Sequence, residues 1–227
     1  MASAPEELAC YPFILRAPPV APFPAEVQGR PVLILVAVHV GGEEEAREAV
    51  RPIETFGTPL LGGFQRMPYV AAQSMFDEGM PEGNRRASRA QLFDEISDDA
   101  IDTLAHFGAA LEGPFTLAYF EPYGGAIARV PKDATAYPHR DRAFCFHVVA
   151  DWTDPGDDQR MRAWVSDFHH AMSAHTRGGV YVNLLSHEET SRVPEAYGPN
   201  LERLARIKTK YDPHNLFRCN QNIRPSG

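Results

Sequence analysis

Apolar residues recur along this chain in two spacings, one that suits strands and one that suits helices. Val32-Leu-Ile-Leu-Val-Ala-Val38 is continuously apolar and β-branched, which predicts a buried central strand. Glu43-Glu-Glu45 follows, and carboxylates favour the positive end of a helix dipole, so a helix starts there. Ala46, Ala49, Val50 and Ile53 share its inner face, and it ends near Gly57. Ser97 reads as an N-cap with Asp98 and Asp99 in the first turn, and Ile101, Leu104, Ala105 and Leu111 form that helix's apolar stripe. Residues 114–121, 126–130, 143–150 and 180–185 read as strands, the first two joined by a turn at Pro122-Tyr-Gly-Gly125. Pro155-Gly-Asp-Asp158 opens a long helix carrying Met161, Trp164, Val165, Phe168 and Met172 at helical spacing, closed by Gly178-Gly179. Pro199 opens the last helix through Leu201, Leu204 and Ala205, and Asp212-Pro213 stops it.

Short links between neighbouring strands require antiparallel pairing. The fold class expected is therefore α+β, a mostly antiparallel β-sheet with helices packed on one face. A proline-rich, extended lead-in occupies residues 1–31, a single domain residues 32–210 and a tail residues 211–227. Residues 58–89 are rich in Gly, Pro and Met, and predict loops and short elements.

Charge and cysteine usage narrow the function. A net charge of −8 argues against nucleic acid and against an anionic membrane surface as partners. Cys10, Cys145 and Cys219 are odd in number and far apart, so neither a disulfide framework nor a zinc ribbon is expected. The first residues lack a basic region followed by an apolar one, and no apolar run is long enough to span a bilayer, which makes a cytoplasmic protein the expectation. The glycines fall largely in doublets and none forms G-x-G-x-x-G or G-x-x-x-x-G-K-[ST], so no pyrophosphate cradle is expected. His169, His170 and His175 lack i, i+4 spacing, and no metal site is expected from them.

The tail carries the most specific pattern, Tyr211-Asp-Pro-His-Asn-Leu-Phe-Arg-Cys-Asn-Gln-Asn-Ile223. Read by its chemistry alone, this amide-rich segment is a C-terminal cap tied to its own domain. Three further blocks precede it in order: Gly124-Gly-Ala-Ile-Ala-Arg-Val-Pro131 with Thr135-Ala-Tyr-Pro-His-Arg140, the strand 144–152, and Gly178-Gly-Val-Tyr-Val-Asn183. Tyr197-Gly and Asn200 then lead through Arg203-Leu204 and Lys208 into the tail. Together these blocks resemble the substrate-binding half of the berberine-bridge-enzyme-like FAD-linked oxidases.

That resemblance implies an oxidoreductase that oxidises a small organic molecule by hydride transfer to flavin. It implies FAD as cofactor, bound mainly by a domain that has no counterpart in this sequence. The expected partners are thus a small-molecule substrate, a separate FAD-binding domain or chain, and a second copy of the chain in a homodimer. The alternative is a vestigial or stand-alone small-molecule-binding domain without redox activity.

Strand alternation puts Cys145, His147 and Val149 on one face. By the resemblance, His147 falls where plant relatives carry a pocket Gln or a catalytic Glu. An imidazole titrates near neutral pH and suits a general base; an inert, hydrogen-bonded histidine in a polar niche is the open alternative. Tyr181 is the second catalytic candidate, with ordinary sheet packing as its alternative. Cys145, Val149, Asn183 and Leu184 are the substrate-facing candidates. Leu184 stands where plant relatives have the tyrosine base, so a departure from the family pattern is expected there. Asn220, Gln221 and Asn222 would, by resemblance, lie near the cofactor.

Overall fold

A computed structural model describes residues 4–19, 23–77, 82–113 and 115–226. Five strands, β1 (Leu8–Arg16), β2 (Pro31–His39), β3 (Arg85–Phe93), β4 (Leu117–Pro122) and β5 (Phe144–Trp152), form a sheet in the order β2-β1-β4-β5-β3. All its ladders are antiparallel. The helices are α1 (Glu43–Glu54), α2 (Tyr69–Gln73), α3 (Asp98–Ala109), α4 (Gly125–Arg129), α5 (Asp158–Ser173), α6 (Val193–Tyr197) and α7 (Leu201–Tyr211). The fold is α+β, as its pattern predicts. Among the described residues no helix is long and apolar enough to cross a membrane.

The main core lies between the sheet and the pair α3 and α5. Phe120 and Phe146 of the central strands, Ala118, Val148 and Ala150 beside them, and Met161, Val165, Phe168 and Met172 of α5 are all buried there. Phe107 of α3 stacks on Phe168 with ring centroids 4.6 Å apart, joining the two helices. Burying each such side chain contributes roughly 1.5–3 kcal/mol. Ser97 caps α3 as expected, its hydroxyl accepting from the Ala100 amide at 3.2 Å. A second, smaller apolar cluster covers the opposite face near β3 and β5, built from Ala90, Leu92, Cys145, Val180, Leu185, Val193 and Ala196.

Several expectations are corrected. The run 32–38 is a strand, but β2 is an edge strand and only half-buried, with Leu33 53% exposed. Continuous apolarity does not by itself fix a strand's position in the sheet. Residues 8–16 of the expected lead-in are extended but paired, with β2 on one side and β4 on the other. Overlapping the end of the expected loop region, Arg85–Phe93 is a full edge strand. Its arginines mask the pattern because each is paired: Arg85 with Asp158, Arg86 with Asp151 and Arg89 with Glu188. On α3, Ile101 is 49% exposed and Ala105 is exposed, while Ala100 and Gly108 face the core. Residues 125–129 are helical, because Gly124 and Gly125 turn the chain at positive φ and the Ile127 amide donates to Gly124 O at 3.0 Å. Residues 180–185 form no strand either. Gly178 and Gly179, at φ 80° and 98°, turn the chain across the end of β3, and Val182–Leu184 closes as a 3-10 turn. Val180 and Leu185 are apolar because they fill the smaller cluster. Pro22, residues 78–81 and Pro114, which belonged to the expected lead-in, loop region and strand start, lie outside the described residues.

Candidate functional site

Register brings the site together. The β4–β5 ladder sets Tyr119 directly opposite His147, Glu121 opposite Cys145 and Leu117 opposite Val149. Odd-numbered residues of both strands point away from α3 and α5. Tyr119 Oη lies 2.9 Å from His147 Nδ1, and the same hydroxyl donates to Glu121 Oε1 at 3.4 Å. The Tyr119 ring stacks on Phe13 of β1, centroids 4.8 Å apart, and Phe13 meets Phe76 at 5.5 Å. His147 is 8% exposed and its Nε2 is buried without a hydrogen-bond partner. Buried polar atoms are nearly always paired, which sets this nitrogen apart from the hydrogen-bonded groups around it.

Burial governs the protonation of this group. Desolvation drives His147 down to about 4, against the opposing charge of Glu189, so the ring is neutral at pH 7. Burial raises Glu121, with the Tyr119 hydrogen bond acting the other way. Burial and then the Glu121 charge raise Tyr119. Cys145 is pushed up to about 12, first by burial and then by Glu121, so it is a thiol and not a nucleophilic thiolate. The arrangement holds a neutral imidazole whose outer nitrogen is free to accept or donate a proton.

The remaining candidates form two groups. Cys145 and Val149 are 0% and 2% exposed and make the wall on either side of His147 along β5. Tyr181 and Asn183 flank and enter the 3-10 turn; no strand face carries them, and Asn183 Nδ2 donates to Tyr181 Oη at 2.7 Å. The Tyr181 ring meets Tyr137 edge-on at 5.5 Å. Leu184 packs against the cluster that contains Cys145, which links this turn to β5. In the tail, Asn220 is exposed at φ 56°, a left-handed conformation that Asn tolerates. Gln221 Nε2 donates to Leu185 O at 2.8 Å, and Asn222 Oδ1 is buried with no partner. His139 and Arg140 are structural: the imidazole meets Glu195 O at 3.0 Å and the guanidinium donates to Thr135 Oγ1 at 2.8 Å.

Tyr119 and Glu121 escape the sequence reading. Alternation along residues 117–121 puts them on one face, but only the ladder register aligns them with His147.

Among the described residues six buried side-chain polar atoms lack a partner, two of them on candidate site residues. His147 Nε2 and Asn222 Oδ1 offer unpaired polar contacts of the kind a heterocycle's edge satisfies. No comparable phosphate seat exists among the described residues. Gly41 and Gly42 do open α1, but Glu45 takes the Gly42 amide at 2.8 Å, and Glu43, Glu44 and Glu45 together repel an anion there.

Residues 180–224 match the family described as berberine and berberine like. The chain is 33% identical over 190 residues to the uncharacterized FAD-linked oxidoreductase YgaK of Bacillus subtilis, spanning 82% of this chain and 42% of that protein. It is 27% identical over 176 residues to the aclacinomycin-N/aclacinomycin-A oxidase of Streptomyces galilaeus, spanning 61% of this chain and 32% of the oxidase. The fold superimposes on berberine-bridge-enzyme-like 1 of Physcomitrella patens with a TM-score of 0.80 at 17% identity, over 99% of this chain and 48% of that one. The chain thus spans less than half the length of these relatives.

Proposed function

We propose, on the premise that the chain belongs with the berberine-bridge-enzyme-like FAD-linked oxidoreductases over part of their length, that it is the substrate-binding portion of an FAD-dependent oxidoreductase. The reaction is the oxidation of a small organic molecule by hydride transfer to flavin. The observation that carries this reading is the buried, unpartnered Nε2 of a neutral His147 on the β5 face turned away from α3 and α5. There the imidazole takes the proton from a substrate hydroxyl or amine. Tyr181, hydrogen-bonded to Asn183, is the second proton-handling candidate, and Asn183 orients the polar end of the substrate. Cys145, Val149 and Leu184 supply the apolar wall. Asn220, Gln221 and Asn222 face the flavin, and a separate domain or chain holds the FAD phosphates. When bound, the flavin supplies the two-electron sink that no side chain offers.

Two measurements test the reading. The first is the visible absorption of the purified chain after addition of FAD and desalting, which reports whether this portion retains flavin without a partner. The second is turnover of a reconstituted two-domain enzyme carrying His147→Ala. Removing a general base lowers turnover about 10²–10⁴-fold. Unchanged turnover removes His147 from the mechanism.

A further inference from the structure

We infer that Tyr119 and Glu121 are positioning residues that hold His147 in the tautomer with its proton on Nδ1, leaving Nε2 as a bare acceptor. The inference deepens the reading of His147 as proton acceptor and takes its functional meaning from that reading.

The argument is a count of protons. A phenol has one proton to give, and a carboxylate can only accept. If Tyr119 donates to Glu121 Oε1 at 3.4 Å, its oxygen must accept from His147 at 2.9 Å, and the proton on that ring sits on Nδ1. In the reverse arrangement Tyr119 donates to Nδ1. That strips the half-buried Glu121 carboxylate of its hydrogen bond and leaves an N–H on a buried Nε2 with nothing to receive it. A buried charged group without its hydrogen bond costs more than a buried imine nitrogen without one, so the first arrangement wins.

The groups around His147 agree with this assignment. From β4 it meets Tyr119 and, through it, Glu121. Across β3 it faces Ala90, which offers no charge. On its own strand the neighbouring thiol of Cys145 is neutral. Tyr11 of β1 stands close enough to Glu121 to be raised by its charge. The Glu189 carboxylate is the further charge that acts on the ring, and it favours the protonated form.

The consequence is a counter-charge held in place for the ring. When a substrate X–H bond breaks and its proton forms the Nε2–H bond, the ring becomes an imidazolium and the substrate keeps the electron pair. The positive charge stays on the ring, whose Nδ1–H is held by the Tyr119 hydroxyl, itself hydrogen-bonded to the Glu121 carboxylate. A buried imidazolium is strongly disfavoured without such a counter-charge.

Nitrogen NMR of the full chain with labelled histidine at neutral pH reads the tautomer directly. The wild-type ring should show an unprotonated Nε2 and a protonated Nδ1. Glu121→Ala should invert this, because Tyr119 is then free to donate to Nδ1. Glu121→Gln should keep the wild-type pattern, since its amide carbonyl still accepts. Tyr119→Phe should abolish the pure Nδ1–H state. The backbone amide spectrum reports whether each variant is folded, and if Glu121→Ala is not, Tyr119→Phe decides by the same criterion. A wild-type ring protonated on Nε2, or an unchanged tautomer in the folded variants, overturns the inference. The readout needs neither flavin nor substrate. It can therefore fail while His147→Ala still abolishes turnover, and it can succeed while turnover is indifferent to His147.

Discussion

Gly108 faces Ile14 so closely that a Cβ built at position 108 would lie 2.9 Å from Ile14 Cγ2. This is where α3 rests on β1. Gly108→Ala gains helix propensity of about 1 kcal/mol, but the β-branched Ile14 is stiff and its Cγ2 is close to the backbone. Overpacking of this kind costs roughly 1–3 kcal/mol. The substitution should therefore destabilise the chain by about 1 kcal/mol in chemical denaturation, and pairing it with Ile14→Val should leave the loss, because Val keeps a branch at the same carbon. Ile14→Ala should relieve the clash while adding a cavity.

Stability should fall with acid across the histidine range. His147 titrates near 4 in the folded chain and near 6.5 when unfolded. Between those values the unfolded chain binds more protons, so stability present above pH 6.5 is lost as pH drops towards 4. The full shift corresponds to about 3 kcal/mol. His169, also lowered to about 4 by burial and by the Arg192 charge, acts in the same window. Glu121 runs the other way: its pKa is raised, so its contribution is present below 4.5 and lost as pH rises through its folded value. The difference between wild type and His147→Gln isolates the His147 share. Unfolding free energies at pH 7 and pH 5 should differ less in the variant; an equal slope would mean that the ring titrates alike in the folded and unfolded chain.

Gln221 anchors the tail through a single side-chain bond to Leu185 O, 2.8 Å long and 36 residues away in sequence. Gln221→Ala should cost about 1 kcal/mol, felt locally as faster amide exchange along 220–225 with little change in global stability. Asp212 is a separate anchor, accepting from the Leu216 and Phe217 amides at 2.8 and 3.1 Å. Protection at 216 and 217 should survive the change at 221.

Apolar side chains crowd two exposed segments. Phe56, Leu60, Phe64, Tyr69 and Val70 lie on one, and Tyr211, Leu216 and Phe217, the last 82% exposed, on the other. Exposed apolar surface of this kind marks interaction sites. Light scattering should show association that grows with concentration, and Leu216→Ser combined with Phe217→Ser should weaken it. A strictly monomeric wild type across the micromolar range would show that these side chains are simply solvated.

The longer helices are the legible part of this fold. Ser97 before two aspartates, the glutamates of α1 and the Met161-to-Met172 spacing each state a cap or a face in local sequence, and the structure has those helices. Strands were less legible where side-chain pairing replaces alternation. β3 hides behind Arg85, Arg86 and Arg89, whose partners lie 65 to 99 residues away. Residues 180–185 mislead in the opposite sense, since burial under the sheet demands the same residues as a strand. The site shows both limits. His147 stands out on a strand in one dimension, whereas Tyr119 and Glu121 join it only through the β4–β5 register.

The two sides of the sheet differ in how they end. The rim of β3 is sealed: the Leu92 amide donates to Gly179 O at 2.9 Å, and Arg192 Nη1 reaches Ala90 O at 3.2 Å. β2 closes the other side with Leu33 in solvent and, among the described residues, no further strand beyond it. An unpaired strand edge is a template for whatever extended segment arrives. Growth of this sheet is therefore one-directional. A tethered strand fused for engineering purposes, or a neighbouring molecule during storage, enters beside β2, with β2, β1 and β4 between it and the strand that carries His147. A lysine placed at position 33 would act as a gatekeeper for shelf life without touching the chemistry.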